Sequence, residues 1–345
     1  MREFHNLITF ANGSIGDFLM WLDFFEACHE QNPTLRCVLI RRRKAGLLRE
    51  IARPYHFVSF LTLDDGVLVF LQQLFLLCGT KNLVILPYTF GTPSSLLIQM
   101  GKVLTLRSGS RFLAFNPIRG VETVPFDLTR CYYENLRSVF PALGLAPVVR
   151  PPRYRFSPTT VSPEIPRPYV VVHPFAGNSV RTLPQARWVD LIRFLRATFP
   201  QLHILITGAP GEASAAGAII RALGTTEHIF QRAGTFKFHE LAAVLTNAQL
   251  YIGVDSGITH LASLLGKRSL VIGNLSNPTW LPRYNADAVI LTEKARCSCT
   301  GSKRGDCFAA EDGKVYFRCM LDVPQARIHA EAARMLRDEA SRQVM

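Results

Sequence analysis

Short apolar runs bounded by glycine, proline or polar residues alternate along this chain with longer segments of helical period. Residues 7–10 predict a first strand, followed by a glycine-bearing loop over 11–17 and a helix over 18–29. Residues 35–40, 58–61, 83–86 and 103–106 predict further strands. Helices are expected over 45–52, 66–78 and 93–101, with a closing helix over 132–143. Strands that alternate with helices build a parallel sheet covered on both faces. Seven prolines then fall within residues 147–168, and proline propagates neither regular structure, so the segment reads as a linker.

Beyond the prolines the alternation restarts. Strands are expected over 169–173, 202–207, 228–230, 250–254, 269–272 and 289–291. Helices are expected over 184–198, 211–223, 238–246 and 324–337, and directly after the turn that starts at Asp255. The predicted fold class is α/β, with two doubly wound, Rossmann-like domains facing across a cleft. Its parts are residues 1–150, a linker over 151–168, a second domain over 169–323 and a terminal helix over 324–345. In such sheets ligands bind beyond the carboxyl ends of the strands.

Composition narrows the class. At 345 residues, 48% of them hydrophobic, the chain has material for two cores. A net charge of +13 points to an anionic partner: a nucleotide, a nucleic acid or an acidic membrane surface. No zinc finger or RNP motif supports nucleic acid, which is not expected as a partner. No apolar run reaches the ~18 residues of a membrane span and no secretory leader is evident, so a cytoplasmic protein is expected. The richest apolar segment, Val67–Cys78, contains no charge and is expected to be a buried helix; shallow contact with a membrane is the alternative.

The candidate chemistry lies just after predicted strands. Asp255 and Ser256 suit a helix N-cap, Gly257 lets backbone approach a ligand, and the helix start presents amides that suit a phosphate. His260 lies one turn on, aimed at the same place. Three more loops end strands of this half and carry His173, Gly208 with Glu212, and Gly234. Four such loops in register favour a nucleotide. Arg181 suits a two-pronged grip on a diphosphate; the other reading is a solvated surface arginine. Glu212 either accepts from a sugar hydroxyl or stabilises a helix start. In the first half, Gly16 and Asp17 open a helix. Asp17 is either an ordinary N-terminal helix carboxylate or a general base for an attacking hydroxyl. The pairing of a base with a held diphosphate suits displacement of a nucleoside diphosphate from a sugar carbon.

These residues resemble glycosyltransferase family 9, the ADP-heptose:lipopolysaccharide heptosyltransferases. The strongest match is Val254-Asp255-Ser256-Gly257-Ile258-Thr259-His260-Leu261-Ala262, joined by Gly16-Asp17, His173-Pro174, Leu183-Pro184 with Trp188, and Gly208 through Glu212. The resemblance implies a GT-B fold and inverting transfer with no cofactor or catalytic metal. It implies that Asp17 is the catalytic base and that Asp255, Ser256 and Gly257, supported by His260, line the donor. A nucleotide sugar, ADP-heptose above others, is the implied donor, and an anionic glycan or glycolipid the implied acceptor. The inner face of the cytoplasmic membrane is the place such an acceptor would be met. Two departures stand out: Arg181 where many members carry lysine, and Phe175-Ala176 where serine or threonine is often found. The basic run Arg41 to Lys44 either meets acceptor phosphates or is a solvated turn. A sugar-nucleotide epimerase and a non-catalytic nucleotide-sugar-binding subunit remain alternatives.

Cys297, Cys299, Cys307 and Cys319 fall close together in an otherwise polar and basic stretch. Four thiolates suit a structural zinc or iron, while free thiols or a disulfide are equally compatible with the spacing.

Overall fold

The computed structural model describes residues 4–10, 14–42, 44–89, 93–156, 165–275, 278–293 and 307–344, with side chains as far as residue 339. Loop residues 11–13, Arg43, residues 157–164 of the proline-rich segment, Cys297 and Cys299 lie outside the described set. The chain divides into two compact units, Met1–Arg155 and Phe156–Met345.

In the first unit the elements run β1 (Asn6–Phe10), α1 (Ile15–Gln31), β2 (Arg36–Arg41), α2 (Gly46–Ala52), β3 (Val58–Thr62), α3 (Val67–Cys78), β4 (Asn82–Leu86), α4 (Ser95–Leu104), β5 (Arg111–Ala114), β6 (Glu122–Thr123) and α5 (Tyr132–Arg137). The sheet is parallel, in the order β3-β2-β1-β4-β5-β6. Strands β1 and β4 are buried at every residue, as expected of central parallel strands covered on both faces. The order reverses between β1 and β4, where an open α/β sheet leaves its crevice.

Helix α1 carries the unit's deepest charges. Asp23 and Glu26 are 0% and 1% exposed. Arg150 donates to Asp23 at 2.7 Å, the Arg153 amide donates to the same carboxylate at 3.0 Å, and the Tyr133 hydroxyl donates at 2.6 Å. Glu26 accepts from Arg153 at 2.8 Å and from Arg155. Residues 150–155, part of the expected linker, are therefore fastened to α1. Burial still holds the Asp23 carboxyl above its usual range, against the pull of Arg150.

The second unit runs β7 (Tyr169–His173), α6 (Gln185–Thr198), β8 (His203–Ile206), α7 (Ala213–Leu223), β9 (Ile229–Gln231), α8 (Phe238–Asn247), β10 (Leu250–Val254), α9 (Gly257–Leu264), β11 (Ser269–Ile272), β12 (Ala288–Leu291), β13 (Phe308–Glu311), β14 (Lys314–Phe317), α10 (Arg318–Leu321) and α11 (Gln325–Val344). Its sheet, in the order β12-β11-β10-β7-β8-β9, is also parallel and repeats the topology of the first, with the reversal between β7 and β10. Val170, Val172, Ile252, Val254, Leu270 and Ile272 form the middle of one continuous core with Trp188 and Ile192 of α6.

Three expectations need correction, and one element was missed. Residues 103–106 are not a strand: they end α4 and the turn beyond it, with Leu104 buried and Leu106 77% exposed. A short apolar run does not separate strand from helix by periodicity. The strand is Arg111–Ala114. The helix over 132–143 stops at Arg137, and Pro141 opens a separate 3₁₀ turn, because proline has no amide to continue the ladder. Helix α3 forms where expected but has no buried residue. Apart from Gln72 and Gln73 it is apolar, and Phe70, Leu74, Leu77 and Cys78 pack against the core. The hairpin of β13 and β14 was not expected at all.

Candidate active site

Strand β7 ends in His173, paired in register with Gly253 of β10, so the next residues of both strands emerge side by side at the reversal. Burial brings the His173 imidazole down to about 4, and its Nδ1 lies 3.0 Å from the Thr207 hydroxyl beyond β8. His173 is thus neutral near pH 7 and braces two strand ends. Gly253 is required by its neighbour: a Cβ there would fall 2.4 Å from the Tyr251 hydroxyl.

Beyond β10 the turn was expected to be capped by Asp255 and Ser256. Ser256 is the N-cap of α9, in extended conformation, and its hydroxyl accepts from the Thr259 amide at 3.4 Å. Thr259 in turn donates to the Val254 carbonyl and meets the Tyr251 hydroxyl at 2.8 Å. This buried chain fixes how α9 leaves the sheet. Asp255, 3% exposed, has a different task. It accepts from Asn274 Nδ2 at 2.8 Å and pairs with Arg181 at 3.3 Å. Arg181 is therefore not a solvated surface arginine. Its side chain is 32% exposed and its guanidinium is held at the mouth of the reversal by a buried carboxylate. His260 is buried, with Nδ1 2.9 Å from the Tyr284 hydroxyl.

The β8 and β9 loops meet through their glycines. The Gly234 amide donates to the Gly208 carbonyl at 2.8 Å. Gly234 has φ +77°, and a Cβ there would lie 2.7 Å from the Pro210 Cα. At Gly208 a Cβ would lie 2.8 Å from Phe175 Cδ2 and 3.0 Å from Glu212 Oε2. Phe175, one of the departures from the family pattern, thus packs over the glycine. Glu212 closes a turn by accepting from the Ala209 amide at 2.6 Å, and burial raises its carboxyl.

In the first unit Gly16 is buried and Asp17 half-buried at the start of α1. Asp17 Oδ2 accepts from the Ser14 amide at 2.7 Å and lies 3.2 Å from the Ser14 hydroxyl. This is the capping box of an ordinary helix start. The same carboxylate also lies close enough to Tyr132 to help hold that phenol above its usual range, after burial, the larger cause. Asp17 follows β1, the strand at the reversal of its sheet.

Asn274 and Tyr284 were missed by sequence reasoning, while Thr207 and Thr259 stand in the loops it singled out but were given no role there. Asn274 had a usable signal, since it follows Gly273 directly after a strand in the manner of the other site loops. Of the four late cysteines, Cys297 and Cys299 lie outside the described residues. Cys307 and Cys319 are buried in the second unit's core, and Cys319 Sγ accepts from the Leu275 amide at 3.3 Å. Among the described residues no group of three or more metal-binding side chains occurs.

Comparison with known proteins agrees with this layout. Residues 147–307 match the family model of glycosyltransferase family 9 (heptosyltransferase). The structure is similar to that of ADP-heptose lps heptosyltransferase II of E. coli, with a TM-score of 0.67 at 15% identity over 97% of this chain and 99% of that one. It is similar to a family 9 glycosyl transferase from Veillonella parvula, with a TM-score of 0.72 at 14% identity over 98% and 99% of the two chains. The dodecameric iron-containing heptosyltransferase TibC, solved with ADP-D-beta-D-heptose, gives a TM-score of 0.60 at 14% identity over 98% of this chain and 77% of that one. At these identities the likenesses establish the fold. No curated protein sequence is significantly similar to the chain.

Proposed function

Since residues 147–307 match glycosyltransferase family 9, we propose that this protein is an inverting glycosyltransferase that moves heptose from ADP-heptose to a hydroxyl of a lipopolysaccharide core or another glycan. The observation that carries the reading is the cluster at the reversal of the second sheet. There the buried Asp255 aims Arg181, and the first-turn amides of α9 at Gly257 and Ile258 lie beside it. A helix start and a guanidinium together neutralise a leaving diphosphate, which lowers the barrier where negative charge develops. Gly208 and Gly234 let the loops beyond β8 and β9 pack closely on Phe175 and Pro210, and Glu212 accepts from the sugar hydroxyls of the nucleotide. His260 and neutral His173 hold the walls. Asp17 takes the proton from the acceptor hydroxyl as it attacks, with the capping box fixing the carboxylate's direction.

Transfer on this reading needs no metal. A structural zinc or iron at Cys297, Cys299, Cys307 and Cys319 is a separate part of the proposal. It is supported by the burial of the two described sulfurs and by the amide hydrogen bond to Cys319, an arrangement that suits a thiolate ligand. Metal analysis of the purified protein supports it with one zinc or iron per chain and removes it with none. The acceptor is anionic and reached from the cytoplasm, in keeping with the net charge of +13.

A thermal-shift screen of nucleotide sugars tests the donor. Ligand at ~100 times its dissociation constant adds about 2.7 kcal/mol of stability. ADP-heptose is expected to raise the melting temperature by several degrees and UDP- or GDP-sugars by much less. No response to any nucleotide sugar, or a stronger one to a UDP- or GDP-sugar, contradicts the proposal.

A further inference from the structure

Helix α3 presents an outward face that is uncovered and apolar except for Gln72, which lies between Leu68 and Leu76 on one stripe. Leu68 is 69% exposed, Leu71 53%, Phe75 79% and Leu76 68%. These side chains lie opposite Phe70, Leu74 and Leu77, which pack on the sheet. The neighbouring α4 and the turn after it extend the surface with Leu96, 65% exposed, and Leu106, 77% exposed. A soluble surface rarely leaves so many large apolar groups contiguous without a use.

Along the sequence from α3 to the residue before β6 every charge is positive. From Gly66 to Val121 the sequence contains no aspartate or glutamate, while Lys81, Lys102, Arg107, Arg111 and Arg119 fall within it. Lys102 is exposed on α4. Arg107, also exposed, donates to the Gly79 carbonyl at 2.8 Å, which sets its charge at the C-terminal end of α3. Asp65, just before α3, is neutralised by Arg49. Arg111 is paired with Glu122, which leaves the exposed Lys102 and Arg107 as the cations beside the helix. An uncharged, largely apolar helix flanked by such cations complements the acyl chains and headgroups of an anionic bilayer. A protein partner would be expected to meet at least one cation of this surface with an acid and to find one acid of its own to pair; the second is missing here.

We propose that the outer face of α3, with Leu96 and Leu106 and the cations Lys102 and Arg107, docks the protein on anionic phospholipid. The helix lies in the plane of the headgroups, since no described helix is long and apolar enough to span a membrane. The docking is a property of the first unit and does not depend on the transferase reading.

Co-sedimentation with vesicles of phosphatidylglycerol mixed into phosphatidylcholine tests it. The intact protein is expected to pellet with these vesicles and to bind pure phosphatidylcholine at least several-fold more weakly. Leu71→Glu combined with Phe75→Glu is expected to lower binding about tenfold or more, because it removes inserted side chains and adds repelled charge. Both positions are exposed, so the melting temperature should stay within a few degrees. Lys102→Glu should lower binding a few-fold and high salt should do the same. Absence of pelleting, equal pelleting of wild type and the double variant, or equal binding to neutral vesicles overturns the proposal. So does a wild-type dimer that the double variant converts to monomer in sedimentation velocity while neither binds lipid, which would assign the face to a second copy of the chain.

Discussion

In the first unit the deeply buried carboxylates, Asp23 and Glu26, lie along α1 and hold Arg150, Arg153 and Arg155. In the second, the buried carboxylate Asp255 stands at the carboxyl end of β10, at the reversal of the sheet, beside Arg181 and Asn274. The two sheets share one strand order. The first unit uses buried charge to fasten its own chain, and beyond β1 at its reversal carries the half-buried Asp17. The second uses buried charge to hold a cation at the reversal of its sheet, the place proposed above for the donor. A common topology fixes where a site falls; the placement of ionic groups decides what that site can do.

Disrupting the first unit's cluster should produce the largest effect, and on stability alone. Asp23→Ala leaves Arg150 and Arg137 without their buried partner and should cost about 3–5 kcal/mol, since breaking a buried pair strands the remaining charge. Both arginines retain some solvent, which places the expected value toward the lower end. Urea unfolding measures the loss; turnover per folded molecule should be unchanged. A loss of turnover with normal stability would erase the distinction between the units.

The second unit should show a pH signature opposite in sign to that of the first. His173, at about 4 when folded, binds fewer protons than the unfolded chain between roughly pH 4 and 6.5. Its contribution is fully present above pH 6.5 and is lost as the pH falls toward 4, up to roughly 3 kcal/mol. Asp23, whose carboxyl is raised, acts in the opposite direction at the acid end, so the wild-type curve mixes both. Subtracting the stability curve of His173→Gln isolates the histidine. A difference curve flat across that window would mean that His173 binds protons in the fold as it does in the unfolded chain.

The smallest effect belongs to the exposed partner of the ion pair. Arg181→Ala should weaken ADP about tenfold, or ~1.4 kcal/mol, with Lys recovering part of the loss. Calorimetric titration reads this directly. Unfolding stability should change by less than about 1 kcal/mol, because the pair is partly solvated. Unchanged ADP affinity would make Arg181 a purely structural cap on Asp255.

Most of the second unit was legible in the sequence because its strands are uniformly apolar and end in glycine-bearing loops. Residues 169–173, 250–254 and 269–272 match the observed strands to the residue. The motif around Asp255 marked the loop at the reversal of the sheet, but not which of its residues caps the helix and which forms the ion pair. That Ser256 caps the helix while Asp255 pairs with Arg181 depends on a contact spanning many residues, which no local pattern encodes. In the first unit, residues 103–106 had the composition of a strand and became a helix end. Helix α3 had the composition of a core helix and became a surface. In both cases apolar content gave the wrong answer, because burial is decided by what else packs on the sheet. The Asp23 cluster was invisible, since its arginines lie far along the chain in a proline-rich stretch that looked like linker.

The most direct test of the central claim is to measure, on one preparation of Asp17→Asn, both sugar transfer from ADP-heptose and the affinity for ADP. Asparagine can still accept from the Ser14 amide, so the helix start should survive. Turnover is predicted to fall about 10²–10⁴-fold while the dissociation constant for ADP stays within roughly twofold. Turnover close to that of the wild type would contradict the assignment of Asp17 as the base, and a parallel collapse of ADP binding would contradict the separation of roles between the two units.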